Sequence, residues 1–308
     1  MNDQTLSLSV TITPGDIPAD GSLTAVDILA YKSGLPKSRV KDAMIKGAVT
    51  LSKTPEKENK KARKRKGKTK RCRKAKTSLQ IGDTLELHYD PRLLAIKPDA
   101  PGLIADEKDY SVWFKPAGLL SQGTVYGDHC AMLRLVETTM GRPTYLVHRL
   151  DREAEGIMII AHSSSAAAAL SKCFQQSQIE KKYQIEVLGC LPEAGSFTDP
   201  IDGKQAETHF KRIKSDTENN CSQAEVTIIQ GRKHQIRRHF YKAGFPVMGD
   251  PLYGRGNKDP RGLQLRAYHL RFYCPIRKQE KVFQLAPNQL APGLVATTQT
   301  NSDHQRKQ

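Results

Sequence analysis

A carboxylate stands in the most chemically suggestive part of the chain, the stretch LVHRLDREAEGIMIIAH at residues 146–162. Asp151 lies there in a polar cluster directly before an apolar run. A carboxylate in such a place can stabilise positive charge, act as a nucleophile or accept a proton. However, Asp151 is flanked by Arg149 and Arg152, which is also the pattern of an ordinary ion-paired turn residue. Local composition leaves a catalytic and a structural interpretation open.

A second stretch, QGRKHQIRRHFYKAGFPVMGDPLYG at residues 230–254, concentrates cations ahead of a loop rich in Gly and Pro. Basic residues at a helix start suit phosphate binding, although a surface helix followed by turns has the same composition. His234 and His239 lack the i, i+4 spacing of a helical metal pair, so no metal is expected here.

One enzyme class can be set aside from the motifs alone. HRLD at residues 148–151 shares letters with the H-R-D loop of protein kinases. The sequence has no Gly-rich phosphate loop followed by a V-A-I-K lysine, and no D-F-G downstream of it. The likeness is therefore confined to a few letters.

The composition is that of a globular protein with a polyanionic partner. The 308 residues are 38% hydrophobic and carry a net charge of +17, which favours two folded units and contact with nucleic acid. The longest apolar runs, such as Ile157 to Ala161, are far too short to span a membrane, and no secretory signal is expected. The six cysteines form no C-x-x-C pair, which argues against zinc and disulfides. A cytoplasmic location is expected.

The first 90 residues read as a small α/β unit. Leu6, Leu8, Val10 and Ile12 alternate with polar residues, which predicts a strand in an extension over residues 1–19. Over residues 20–90, two short helical patterns end near Gly34 and Gly47, and strand patterns follow.

A strongly basic segment, Lys53 to Lys76, interrupts this unit. It holds 14 Lys and Arg against Glu56 and Glu58, which accounts for +12 of the net charge of +17. With few apolar residues to bury, it is expected to be a mobile loop that contacts phosphates. A solvated loop that aids solubility or localisation is the alternative.

Pro-rich residues 91–109 are expected to link this unit to a larger domain over residues 110–288. Strand patterns such as SVWF and KYQIEVLG mix there with helical ones, which favours an α+β fold on a mixed sheet. The polar tail, residues 289–308, is expected to be disordered.

Two family resemblances follow from these motifs. LPKSRVKDAMIKGAVTL and LQIGDTLEL in the small unit resemble an S4 RNA-binding domain. FKPAGLLSQG, HRLD, KKYQIEVLG, GRKHQIRRH, GDPLYG and LRAYHLRFYCP, in this order, resemble the RluA family of pseudouridine synthases over residues 109–275. The resemblance implies a catalytic domain with a mixed, largely antiparallel sheet that needs no cofactor or metal.

The resemblance also implies a reaction and its residues. A uridine in RNA is detached at its N1–C1′ bond, the uracil turns, and it is rejoined through C5. Asp151 would be the reacting carboxylate, Arg237 would pair with it, and Tyr183 would contact the base. Arg149 would fill the gap that a flipped base leaves. The other expected RNA-contacting or supporting positions are His148, Leu150, Arg232, Lys233, His234, Gln235 and Ile236, with Lys37, Arg39 and Lys41 in the small unit.

One departure from the family qualifies this picture. After the catalytic aspartate the family usually has Thr-Ser-Gly, whereas this chain has Ala154, Glu155 and Gly156. Two hydroxyls are lost, and Glu155 adds a negative charge near Asp151. A monomeric enzyme acting on RNA is expected, on ribosomal RNA rather than transfer RNA. The alternative is a non-catalytic RNA-binding or ribosome-assembly protein on the same scaffold.

Overall fold

The computed structural model describes residues 4–18, 22–54, 69–254 and 257–285. The chain divides into two compact units. The first comprises residues 1–98 with residues 122–134, and the second comprises residues 99–121 with residues 135–308. No helix in the described ranges is both long and apolar enough to cross a membrane.

The first unit is a four-stranded antiparallel sheet with two helices. Its strands are β1 (Leu6–Thr11), β2 (Val49–Ser52), β3 (Lys70–Arg71) and β4 (Thr84–Tyr89), in the order β1-β4-β2-β3. The helices are α1 (Ala25–Ser33) and α2 (Lys37–Ile45). Gly34 ends α1 with a φ of 72°, which residues with a Cβ seldom adopt. Leucines alternate inward along β4 and join the apolar faces of both helices in one core.

The N-terminal strand belongs to this unit. The sequence predicts an extension over residues 1–19, whereas β1 pairs along its whole length with β4, from Leu6 opposite Tyr89 to Thr11 opposite Thr84. Its apolar residues alternate with polar ones and so lie on one face of the strand. That face packs against the core of the first unit.

The end of the basic segment is also built into the unit. β3 pairs with β2, and Cys72 is buried in the core. Arg71 donates to the carbonyl oxygens of Gly47 and Thr124, and Arg73 forms an ion pair with Asp128. These two arginines therefore have protein partners, unlike the mobile loop that the composition predicts. Residues 55–68 of that segment lie outside the described ranges.

The second unit contains a ten-stranded mixed sheet. Its main path has the order β10-β11-β12-β9-β13-β8-β6-β5. The strands are β5 (Gly102–Asp106), β6 (Tyr110–Lys115), β7 (Tyr145–Leu146), β8 (Glu155–Ala161), β9 (Ile179–Leu188), β10 (Ala194–Phe197), β11 (Thr208–Asp216), β12 (Cys221–Ile228), β13 (Leu265–Cys274) and β14 (Gln279–Gln284). Among the described pairs β8 and β13 alone run parallel, which confirms the predicted mixed, largely antiparallel α+β fold.

Four further α-helices lie in the described ranges: α3 (Pro91–Leu94), α4 (Met132–Met140), α5 (Ser164–Gln175) and α6 (Gln235–Lys242). The side chain of Ser163 accepts a hydrogen bond from Ala166 N at the start of α5, as its sequence predicts. α5 contributes to one apolar cluster beside β6, β8 and β13, and α6 contributes to a second beside β9 and β12.

The stretch predicted as a linker carries regular structure. α3 begins behind Asp90, whose side chain accepts hydrogen bonds from Arg92 N and Leu93 N. β5 pairs with β6 as an edge strand of the large sheet, although the prolines of residues 91–109 suggested a break there. The prolines lie at residues 91, 98 and 101, outside the paired residues, so none removes a hydrogen bond from the ladder.

Candidate active site

Asp151 and Arg237 meet at the start of α6. Arg237 Nη1 lies 3.2 Å from Asp151 Oδ2, and the Arg237 side chain is fully buried while that of Asp151 is 25% exposed. The same Nη1 lies 3.4 Å from Glu153 Oε2. One guanidinium nitrogen thus faces two carboxylates of the loop before β8.

Asp250 fixes the rest of that guanidinium. Its Oδ2 accepts from Arg237 Nε and its Oδ1 from Arg237 Nη2, both at 2.7 Å, in the two-pronged geometry that arginine favours. Asp250 is itself held by backbone donors, Leu252 N at 2.9 Å and Tyr253 N at 3.1 Å. Burial lowers the pKa of Arg237, but the Asp250 carboxylate outweighs it and the net shift is upward.

The Tyr253 ring and His234 complete this side of the site. The Arg237 guanidinium lies over the Tyr253 ring, 5.4 Å from its centroid. His234 Nδ1 lies 3.1 Å from the Tyr253 hydroxyl, and its Nε2 is 3.8 Å from Asp151 Oδ1. His234 holds this place with a φ of 53° as the residue before α6. Its burial lowers its pKa more than the Asp151 charge raises it.

Backbone contacts hold the loop that presents Asp151. Ser121 Oγ donates to Leu150 O at 2.7 Å and accepts from Leu150 N at 3.0 Å, so it pins the residue before Asp151. On the other side of Asp151, Gly118 N donates to Arg152 O at 2.7 Å. The segment FKPAGLLSQG, residues 114–123, therefore holds the residues on both sides of Asp151.

Lys115 also holds the Asp151 loop, through hydrogen bonds made in the protein interior. Its ammonium is fully buried and donates to the carbonyl oxygens of Pro116, Leu119 and Arg152 at 3.0, 2.9 and 3.2 Å. Burial lowers the Lys115 pKa to about 7, and the negative charge of Asp151 partly offsets this. A buried lysine thus joins two loops beside the carboxylates.

Tyr183 and Ile236 lie at the apolar side of the site. Tyr183 is half-buried on β9 and packs against the apolar cluster that contains Ile236, which is 4% exposed. Desolvation raises the Tyr183 pKa, and the negative charge of Asp151 raises it further. Tyr183 is therefore a neutral phenol near neutral pH.

Two of the residues predicted to contact RNA or to support the site, His148 and Leu150, have structural partners. His148 Nε2 accepts a hydrogen bond from Ile159 N at 3.0 Å, and its ring stacks on Phe174. Burial lowers the His148 pKa to about 3, with a further contribution from Lys181, so His148 carries no positive charge for phosphate. Leu150 acts through its backbone, as described for Ser121.

At the start of α6, some of the predicted RNA-contacting residues have protein partners and one is exposed to solvent. Gln235 is buried, its Nε2 donates to Glu207 O at 2.9 Å and Thr208 Oγ1 at 3.0 Å, and its Oε1 accepts from Arg232 N. Arg232 Nε donates to Gln205 O at 2.9 Å. Lys233 between them is exposed.

Exposed cations remain at other predicted positions. Arg149 is exposed beside Asp151. In the first unit, Lys37 lies 2.8 Å from Asp27 on α1, while Lys41 is exposed and Arg39 is half-buried on α2. Among the described residues no three His, Cys, Asp or Glu side chains are grouped so as to hold a metal ion.

Ala154 and Glu155 do not leave a free charge beside Asp151. Ala154 is buried in the apolar cluster under α6, and Glu155 begins β8 with 8% exposure. Glu155 Oε1 lies 3.4 Å from Arg266 Nε on β13. The carboxylate that Glu155 adds near Asp151 therefore has a buried cationic partner in Arg266.

Sequence reasoning missed Asp250, Lys115 and Ser121 as parts of the site. Asp250 stands in GDPLYG and the other two in FKPAGLLSQG, so the motifs were noted without their roles. An unusual placement is the signal that could have identified Lys115, because a lysine ending the otherwise apolar strand SVWF predicts a buried ammonium.

Comparison with known proteins gives the same fold. The family model described as RNA pseudouridylate synthase matches residues 109–242. The solved structure of human RNA Pseudouridylate Synthase Domain Containing 1 superposes with a TM-score of 0.54 at 18% identity, over 62% of this chain and 86% of that chain. The second unit thus has the pseudouridine synthase fold.

Relatives in sequence are named for the same activity. An uncharacterized RNA pseudouridine synthase of Aquifex aeolicus is 31% identical over 249 residues, which cover 69% of this chain and 78% of that protein. Ribosomal large subunit pseudouridine synthase D of Nitrosomonas europaea is 33% identical over 37% of each chain. The dual-specificity RNA pseudouridine synthase RluA of Vibrio vulnificus is 31% identical over 52% of this chain and 73% of that protein. This chain belongs to the RluA-type family of RNA pseudouridine synthases, isomerases that act on RNA.

Proposed function

We propose that the protein isomerises uridine to pseudouridine in structured RNA and that Asp151 is the reacting carboxylate. In this reaction the N1–C1′ bond breaks and a C5–C1′ bond forms. The proton on C5 is released and N1 takes up a proton, so the atoms balance without an oxidant, a reductant or a co-substrate. Metal and cofactor are not required by this chemistry.

The observation that carries the proposal is the arrangement of Asp151, Arg237 and Asp250. Cleavage of a glycosidic bond builds positive charge at the sugar, and an ionised carboxylate can stabilise or trap it. Arg237 Nη1 lies 3.2 Å from Asp151 Oδ2, while Asp250 prevents the guanidinium from turning away. The carboxylate is thereby held in one orientation before substrate arrives.

Tyr183 is proposed to contact the uracil and to take part in release of the C5 proton. Because it is a neutral phenol, it can accept that proton only while passing on its own. Asp151, whose charge already acts on Tyr183, is the proposed acceptor. Ile236, in the adjoining apolar cluster, would lie against the uracil from the other side.

Recognition of RNA is proposed to use both units. A uridine must leave its stack to reach Asp151, and exposed Arg149 is the side chain proposed to fill the gap. The first unit is proposed to act as an S4-like RNA-binding domain through the cations of α2. Ribosomal RNA is the proposed target, supported by the name of the Nitrosomonas relative, while the Vibrio relative is named for dual specificity.

Release of tritium from RNA labelled at uracil C5 tests the reaction. Wild-type protein should release the label, whereas Asp151→Ala should release none above background while still binding the RNA. Asp202→Ala is a matched control, since Asp202 is an exposed carboxylate that contacts the same helix through Arg238. Equal release by wild type and Asp151→Ala would contradict the role of Asp151.

Pseudouridine mapping tests the target. Ribosomal and transfer RNA from cells with and without the gene should differ at one or a few ribosomal uridines. Loss confined to transfer RNA would contradict the proposed target, and identical maps would contradict the activity itself.

A further inference from the structure

A buried ion pair joins the loop of Asp151 to β13. Glu155 and Arg266 stand directly opposite each other in the parallel pairing of β8 with β13, and they are 8% and 2% exposed. Glu155 Oε1 is 3.4 Å from Arg266 Nε. Burial raises the Glu155 pKa, and the positive charges of Arg266 and Lys115 act against this.

The pair is a poor source of stability by itself. Within the described part of the chain, Arg266 Nε and Nη1 have no hydrogen-bond partner, although both are buried. Removing two charges from water is costly, and their attraction offsets this cost only when the remaining donors are satisfied. The geometry imposed by the pair is therefore a better account of its presence than its energy.

The chain between this pair and Asp151 is held at each residue. Lys115 Nζ and Gly118 N both donate to Arg152 O. The Glu153 carboxylate lies 3.4 Å from Arg237 Nη1, and the Ala154 side chain is buried under α6. These three residues are held by contacts of their own, so a shift of Glu155 is passed on to Asp151.

Two further contacts hold β13 close to the Asp151 loop: the close approach of the β8 and β13 backbones, and the contact of Arg266 with an aromatic ring. A Cβ on Gly156, next to Glu155, would lie 2.1 Å from Ala267 O, which shows how closely the two strands approach. The Arg266 guanidinium lies over the Phe114 ring, 5.4 Å from its centroid, and Phe114 precedes Lys115. Arg266 thus contacts Glu155, at the end of the loop that carries Asp151, and Phe114, at the start of the segment that holds this loop.

From these contacts we infer that Glu155 and Arg266 are positioning residues that set the place of Asp151 relative to Arg237. The inference rests on the proposed function for its consequence in catalysis. Neither residue needs to touch the substrate, since their effect passes through the three residues between Asp151 and Glu155.

An apolar double variant, Glu155→Leu with Arg266→Met, separates geometry from stability. Replacement of a buried ion pair by apolar residues is often neutral or stabilising, so its melting temperature should equal or exceed that of wild type. Its kcat for tritium release should nevertheless fall by about 10²-fold with KM unchanged, because a shift of about 1 Å at a reacting group has such an effect. A folded double variant with kcat within about twofold of wild type would overturn the inference.

The neutral pair Glu155→Gln with Arg266→Gln serves if the apolar variant does not fold, with the same expectations for kcat and KM. A crystal structure of whichever variant folds gives a readout independent of turnover. It should show the Asp151 carboxylate displaced from Arg237 Nη1 by about 1 Å or more. An unmoved carboxylate overturns the inference even if wild type proves inactive, whereas an inactive wild type alone contradicts the proposed function.

Discussion

Asp250 binds Nε and Nη2 of the Arg237 guanidinium with its two carboxylate oxygens, both at 2.7 Å. The third nitrogen, Nη1, faces Asp151. The partner of Asp151 is thus oriented by a second carboxylate, 99 residues further along the chain. Three negative groups, Asp151, Glu153 and Asp250, surround one buried cation.

Asp250→Asn should therefore weaken both folding and catalysis. Breaking a buried ion pair at one partner costs about 3–5 kcal/mol of unfolding free energy. Loss of the fixed guanidinium should lower kcat by about 10²-fold with a small change in KM. Urea unfolding and tritium release measure the two effects. Asp202→Asn, which removes the exposed partner of Arg238, should change neither, and equal effects of the two substitutions would contradict the assigned role.

Lys115 should make stability depend on pH in a defined direction. Its pKa is lowered from 10.5 to about 7, so between these values the unfolded chain binds a proton that the folded chain does not. Stability then rises with pH through this window. Wild type should gain up to about 5 kcal/mol relative to Lys115→Met, as urea unfolding across the window would measure.

The control for Lys115 is Lys211→Met, which changes an exposed lysine on β11. Its stability should run parallel to that of wild type with pH. If Lys115→Met also runs parallel to wild type, Lys115 is protonated throughout and the lowered pKa is wrong.

Gly156→Ala should destabilise the second unit. Gly156 has a φ of 130°, and a Cβ would lie 2.1 Å from Ala267 O and 2.6 Å from Ala267 N. Backbone strain and this clash together should remove at least about 2 kcal/mol of unfolding free energy. Gly231→Ala, where a Cβ meets open space, should have a small effect. A melting curve unchanged by Gly156→Ala would show that β8 and β13 can separate.

Neighbouring residues at the start of α6 should behave in opposite ways. Lys233→Ala should weaken RNA binding and reduce the slope of log affinity against log salt by about one, with stability unchanged. Gln235→Ala removes buried hydrogen bonds to Glu207 and Thr208 and should cost about 1–3 kcal/mol of unfolding free energy. Salt titrations of binding and urea unfolding distinguish the two, and a reversed pattern would contradict the assignment.

The sequence was sufficient for features that depend on local pattern or on ordered motifs. Alternation along β1 and β4 and the Ser163 cap of α5 are local, and the structure has them where they are expected. The motifs around Asp151 and Arg237 were recognised together, and the structure brings the two side chains to 3.2 Å.

The partners of side chains that lie far apart in the sequence could not be predicted from local patterns or motifs. Nothing near Glu155 in the sequence indicates that Arg266 lies opposite it, since that depends on a parallel pairing between distant strands. The same holds for Arg71 and Arg73, whose charges suggested RNA while their acceptors are Gly47 O, Thr124 O and Asp128. Residue type predicts chemistry, but the availability of a group depends on its neighbours in space.

The parallel pairing of β8 with β13 also has a consequence for biosynthesis. Glu155 and Arg266 are about 110 residues apart, so the pairing closes a long stretch of chain, which slows folding. A ribosome releases the Asp151 loop well before it has made β13. The nascent chain therefore carries this loop, with Glu155 still unpaired, until nearly all of the second unit has been translated.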